Sequence, residues 1–174
     1  RFGGDYSEIS GESVGSFSVS PDNKFVAFYA LNPNLSLSLI VKNIETKEER
    51  QIMDSIWTTF FCSTCSPAWS PDGKKIIHIV QGWGTQASQI LVVDVETGIS
   101  GETKLPRFRR FEQVAWLPDG NSFVVSASED GRFFHLWKIH YPIGDAQNLT
   151  IGLSSYNKPM ISADGKKILA LQSV

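Results

Sequence analysis

Two stretches of this 174-residue chain have the residue types and spacing of reactive sites. The first, Gly11-Glu12-Ser13-Val14-Gly15, matches the Gly-x-Ser-x-Gly pattern of a serine nucleophile. That pattern works on a sharp turn between a buried apolar strand and a helix, which lifts the hydroxyl above the sheet. Here the residues before it, Asp5-Tyr6-Ser7-Glu8-Ile9-Ser10, are polar, and Phe17-Ser18-Val19-Ser20-Pro21 after it reads as a strand. A connecting loop with an idle serine is expected. The second, Cys62-Ser63-Thr64-Cys65, is a lone Cys-x-x-Cys. A zinc site needs a second ligand pair at compatible spacing, and His78, His135 and His140 do not supply one. A redox dithiol opens a helix beside a βαβ unit, and the sequence shows no such unit. Idle thiols are the leading reading, a local disulfide the next. No catalytic residue, metal or cofactor is expected.

The binding chemistry is richer. Arg107-Phe108-Arg109-Arg110-Phe111 is the densest basic-aromatic cluster. Arginine forks clamp carboxylates and phosphates, and arginine with aromatics dominates interface hot spots. The plainer alternative is a solvated loop whose phenylalanines pack inward. Ile56-Trp57-Thr58-Thr59-Phe60-Phe61 is apolar for a loop, and is either a contact patch or an inner strand. Gln81-Gly82-Trp83-Gly84-Thr85-Gln86 places a glycine on each side of an aromatic, and Ser128-Glu129-Asp130-Gly131-Arg132 closes another loop. The candidate contact residues are therefore Trp57, Phe60, Trp83, Arg107, Arg109, Arg110 and Arg132. No glycine-rich phosphate loop is present. Asn34-Leu35-Ser36 and Asn148-Leu149-Thr150 match the N-glycosylation sequon.

What holds these residues is a repeat. Ser20-Pro21-Asp22-Asn23, Ser70-Pro71-Asp72-Gly73, Leu117-Pro118-Asp119-Gly120 and Ser162-Ala163-Asp164-Gly165 align, with their aspartates 50, 47 and 45 positions apart. Val19, Trp69, Trp116 or Ile161 precedes each turn, and an apolar run follows it: Val26-Ala27-Phe28, Ile76-Ile77-His78-Ile79, Phe123-Val124-Val125 or Ile168-Leu169-Ala170-Leu171. Proline presets φ, aspartate bonds its own backbone, and glycine or asparagine takes the left-handed position, so each copy predicts a strand, a tight turn and a strand. A third strand is expected at Leu37–Ile44, Gln89–Val95 and Phe133–His140. A fourth is expected near Glu49–Met53, Gly101–Leu105 and Ala146–Thr150. His78 shares a column with Phe28, Val125 and Ala170, so it reads as a packed strand residue. His135 and His140 fall on opposite faces of their strand.

Four short strands per repeat of about 45 residues predicts an all-β propeller of about three and a half blades. A sandwich built of similar hairpins would not explain the constant period. One partial domain covers 1–174, with repeats near 17–66, 67–113, 114–158 and 159–174. Formal net charge is -2, which argues against a nucleic-acid partner. No apolar run approaches the roughly 20 residues that would cross a bilayer as a helix. The chain opens without Met or an apolar leader, and its abrupt ends suggest a piece of something longer.

Pro67-Ala68-Trp69-Ser70-Pro71-Asp72-Gly73-Lys74-Lys75-Ile76 closely resembles the WD40-like repeat of TolB-type propellers, and the resemblance covers nearly the whole chain. The stretch from Leu136-Trp137-Lys138-Ile139-His140-Tyr141-Pro142 to Ser162-Ala163-Asp164-Gly165 is most similar to propeller sensors attached to bacterial serine/threonine kinases. The resemblance implies a non-catalytic module that binds a protein, peptide or small ligand as the sensor or scaffold of a larger protein. It also favours a periplasmic or extracytoplasmic place. Two alternatives stand beside it. One is the gating propeller of a prolyl-oligopeptidase-like serine peptidase. The other is a half propeller that closes its ring as a homodimer.

Overall fold

The structure is a computed structural model, and it describes residues 13–34, 36–56, 66–81, 88–103, 105 and 108–173. Its first sheet has the order β1-β2-β3-β4, from β1 (Ser13–Val19), β2 (Phe25–Leu31), β3 (Leu37–Asn43) and β4 (Glu49–Ile56). The second follows the same order with β5 (Ala68–Trp69), β6 (Lys75–Val80), β7 (Gln89–Asp94) and β8 (Ser100–Thr103). The third uses β9 (Arg110–Trp116), β10 (Ser122–Ser128), β11 (His135–His140) and β12 (Ala146–Asn148). A last hairpin pairs β13 (Ser155–Ile161) with β14 (Ile168–Ser173). All the pairings are antiparallel. No helix occurs among the described residues.

The repeated turn works as its chemistry demands. In the first blade Ser20 Oγ donates to Asp22 Oδ1 at 2.6 Å, Lys24 N donates to the same oxygen at 3.1 Å, and Phe25 N donates to Ser20 Oγ at 2.9 Å. The same three bonds recur around Asp72 and Asp164. The third blade has Leu117 in place of serine, and Asp119 Oδ1 instead accepts from Asn121 N and Ser122 N at 2.8 and 3.0 Å. The left-handed position falls on Asn23 or on Gly73, Gly120 and Gly165.

The continuous apolar runs exist because both faces of a blade are covered. Ile76 and Val93 point toward the first blade and pack with Ala27, Tyr29 and Leu39. Ile77, Ile79, Ile90 and Val92 point the other way, against Phe108, Phe111, Phe123 and Val125. Each such side chain, fully buried, contributes about 1.5–3 kcal/mol. The blades are also joined by a recurrent polar bond. Trp69 Nε1 donates to Ser18 O at 3.2 Å, and Trp116 Nε1 donates to Ala68 O at 3.1 Å. Each tryptophan of the repeat thus reaches the inner strand of the blade before it.

The inner strands β1, β5, β9 and β13 stand side by side in that order, as a propeller requires around its axis. The ring is partial and unclosed. Its two end faces carry apolar side chains in the open, with Phe17 59% and Val19 45% exposed on one and Leu169 70% and Leu171 60% exposed on the other.

Two expectations need correction. Ser13-Val14-Gly15 is not loop but the start of β1, with Ser13 opposite Ala30. The arginine-phenylalanine cluster differs from the expected loop only in part: Phe108 and Phe111 are buried between blades, as the plainer reading has it, but β9 already begins at Arg110.

Candidate binding face

In a blade of antiparallel strands, the second-to-third strand connections open on the same rim as the links between blades. Around the third blade that rim is tightly tied. Arg109 N donates to Ser128 O at 2.9 Å, and Arg110 pairs with Ser128 in the sheet. The turn from Ser128 is then closed locally, with Gly131 N donating to Ser128 Oγ at 2.8 Å and Arg132 N to Asp130 Oδ1 at 2.8 Å. That bond from Arg132 N is the main reason the Asp130 carboxyl sits below the usual carboxylate range. The second blade supports the same rim from the side. Ser88 Oγ donates to Arg109 O at 2.9 Å and to Gln81 Oε1 at 3.1 Å, and Gln81 Nε2 donates to Phe111 O.

The structure therefore brings Arg109, Arg110 and Arg132 to one rim with their side chains exposed, although Arg110 and Arg132 lie 22 positions apart. Two buried phenylalanines anchor the first two arginines from beneath. Trp57, Phe60, Trp83 and Arg107 lie outside the described residues, as do Cys62 and Cys65. The turn residues Pro21, Asp22, Pro71, Asp72, Gly73, Pro118, Asp119, Gly120, Asp164 and Gly165 fall at the opposite ends of the inner strands, where they serve the hairpins.

The three histidines do not converge. His78 is buried, with Nδ1 2.7 Å from Tyr29 Oη and the rings 5.3 Å apart. Burial holds its pKa down near about 4 and pushes that of Tyr29 up. His78 Nε2 has no hydrogen-bond partner. His135 Nε2 lies 3.1 Å from Gly152 O, and His140 Nδ1 lies 3.3 Å from Ser122 Oγ. Among the described residues no three of His, Cys, Asp and Glu gather as metal ligands. Ser13 is followed by strand where a nucleophile elbow needs a helix.

One cavity with both polar and apolar walls went unread in the sequence. It holds about 400 Å³ between β9 and the β13–β14 hairpin, and Glu112, Gln113, Asn157, Lys158 and Gln172 are among its walls. Glu112 is half-buried, and burial raises its pKa while the charge of Arg110 opposes the rise. A signal was available. Glu112 and Asn157 each stand four positions before the residue that packs between blades, Trp116 or Ile161, so the repeat alignment brings these two polar side chains into one column. A second cleft of about 710 Å³ lies between the first two blades, lined by Phe25, Val41, Arg50 and Trp69. Arg50 bridges those blades by donating to Glu96 O at 2.8 Å and to Val95 O.

The repeat, the sheet order and the inter-blade tryptophans all point one way, and the family model described as the TolB beta propeller domain matches residues 8–174. The chain belongs to the TolB β-propeller family. Among solved structures this TolB-family chain is similar to TolB from Acinetobacter baumannii, at 21% identity and TM-score 0.69, covering 90% of this chain and 37% of that one. It is also similar to a putative TolB from Agrobacterium tumefaciens, at 17% identity and TM-score 0.75, covering 92% and 55%. At these identities the likeness concerns the fold. A curated relative is the uncharacterized peptidase YuxL of Bacillus subtilis strain 168, 26% identical over 125 residues, or 67% of this chain and 18% of YuxL. The chain spans well under two thirds of the length of each.

Proposed function

We propose that this TolB-family segment is a non-catalytic binding module that holds a protein or peptide on its loop rim, as the sensor or scaffold part of a larger protein. The observation that carries this reading is the exposed trio Arg109, Arg110 and Arg132, set on a rim that two blades hold rigid. A backbone held in this way loses less freedom on binding, and the planar guanidinium forks it carries suit the carboxylates of an acidic peptide. Trp57, Phe60, Trp83 and Arg107 belong to the same proposal on their sequence alone. The test is fluorescence anisotropy with a labelled Glu/Asp-rich dodecapeptide. The triple variant R109A/R110A/R132A should bind it at least tenfold more weakly than the parent chain. Equal binding removes the rim from the site.

A gating propeller for a peptidase is the second reading, and the likeness to YuxL favours it. It requires a hydrolase domain in the same reading frame, with a true strand-turn-helix around its serine. Sequencing the gene on both sides of this segment decides between the two, since a kinase or regulator domain there would support the sensor version.

A further inference from the structure

The cavity beside β9 has the build of a ligand pocket, and it lies between two bulges on neighbouring inner strands. In the β9–β10 pairing Phe111 faces Ala127 and Val114 faces Val125, so Glu112 and Gln113 together oppose a single residue, Ser126. In the β13–β14 pairing Asn157 faces Leu171 and Met160 faces Leu169, so Lys158 and Pro159 together oppose Ala170. A bulge leaves one residue out of the ladder and re-aims its neighbours. The two bulges lie one position apart in successive repeats, Glu112-Gln113 ending three residues before Trp116 and Lys158-Pro159 two before Ile161, on inner strands that stand side by side. Between them opens the cavity of about 400 Å³, a volume at the small end of ligand sites.

Its chemistry is specific. The half-buried Glu112 carboxylate accepts from the Asn157 side-chain amide, whose nitrogen lies 2.8 Å from Oε2 in the orientation its acceptors select. Asn157 is itself fixed, because Ser126 Oγ donates to Tyr156 O at 2.8 Å and lies 2.9 Å from the amide. Gln113, Gln172 and Ser173, which carry amide or hydroxyl groups, complete the wall together with Lys158 and Leu171. An ammonium group carries three donors and no acceptor, so it needs this mixture of one carboxylate and several neutral oxygens. A divalent cation prefers several carboxylates, and a single acid with neutral amides matches it poorly. We propose that this cavity is a subsite for the primary ammonium group of a peptide, with Glu112 as its counter-ion and Gln113, Asn157 and Gln172 around it. In this proposal Lys158, exposed and also lining the cavity, donates to the peptide carbonyl next along the chain. The elevated pKa of Glu112 agrees with this, since a carboxylate that burial disfavours gains most from a cation beside it.

This inference rests on the peptide-binding reading, and calorimetric titration of the 174-residue chain separates the two. The probes are trialanine, with a terminal ammonium; acetyl-Ala-Lys-Ala-amide, with a side-chain ammonium; and acetyl-trialanine-amide, with none. At least one ammonium probe should bind tenfold or more tightly than the blocked peptide, and which one does identifies the source. Glu112→Gln, nearly isosteric, should lose that preference while keeping the thermal unfolding profile of the parent. The rim variant R109A/R132A, which leaves the charge of Arg110 beside Glu112 in place, should weaken binding of the acidic dodecapeptide and keep the ammonium preference. Equal affinity for all three probes, no binding of any, or an unchanged preference in Glu112→Gln overturns the proposal. If the dodecapeptide still binds in those cases, the rim reading survives alone.

Discussion

Acidification should weaken this fold through one buried side chain. His78 is held neutral between the first two blades with its pKa near about 4, while an exposed histidine titrates near about 6.5. The folded state therefore binds this proton less readily than the unfolded chain does. Stability from keeping His78 neutral is whole above about pH 6.5, falls as pH drops, and levels off below about pH 4. The linkage relation gives a loss of about 2 kcal/mol by pH 5 and about 3 kcal/mol once both states are protonated. Urea unfolding at pH 7.5 and pH 5.0 measures it, with His78→Phe as the reference, since Phe28 fills the same column in the first blade. The parent should lose about 2 kcal/mol more than the variant between those pH values. Other groups cancel in that comparison. Asp22, Asp72, Asp94, Asp130 and Asp164 have lowered pKa values, so their losses fall at lower pH. Glu112 acts with the opposite sign, because its raised pKa makes it less costly as pH falls. Equal pH slopes in parent and variant would refute the claim that His78 is buried neutral.

Trp116→Phe should cost about 1 kcal/mol in urea unfolding through loss of its bond to Ala68 O, and Trp116→Ala about 3–5 kcal/mol. The fourth blade has Ile161 at that position, and the matching acceptor is Ala115 O, so Ile161→Trp should raise stability by about 1 kcal/mol. An unchanged or lowered midpoint would show that the site has no room for the indole. Gly98 and Gly120 both have positive φ, at 71° and 66°, but a Cβ at Gly98 would meet Ile52 O at 2.7 Å and one at Gly120 would meet nothing. Gly120→Ala should cost about 1–2 kcal/mol from the backbone alone, and Gly98→Ala clearly more in the same melts.

The fold was readable because its signals are local and recur. Pro-Asp-Gly and its variants dictate a hairpin by backbone preference alone, and spacing them evenly dictates blades. His78 was readable too, since its column is otherwise apolar. The binding face was less so. Arg107 to Phe111 looked like one loop because composition carries no record of where a strand starts. Burial then divides Phe108 and Phe111 from Arg109 and Arg110. Glu112 and Asn157 escaped notice for another reason. A bulge is a mismatch in residue count between two strands, and neither strand shows it when read by itself.

The tryptophan bonds between blades have a direction. Trp69 and Trp116 each donate to a carbonyl that lies earlier in the chain, and none of the bonds described here reaches forward from a tryptophan to a later blade. During synthesis the acceptor strand is thus already available when the donor emerges from the ribosome. Each new blade can dock on a finished neighbour, and the docking surface stays one blade wide however long the array grows.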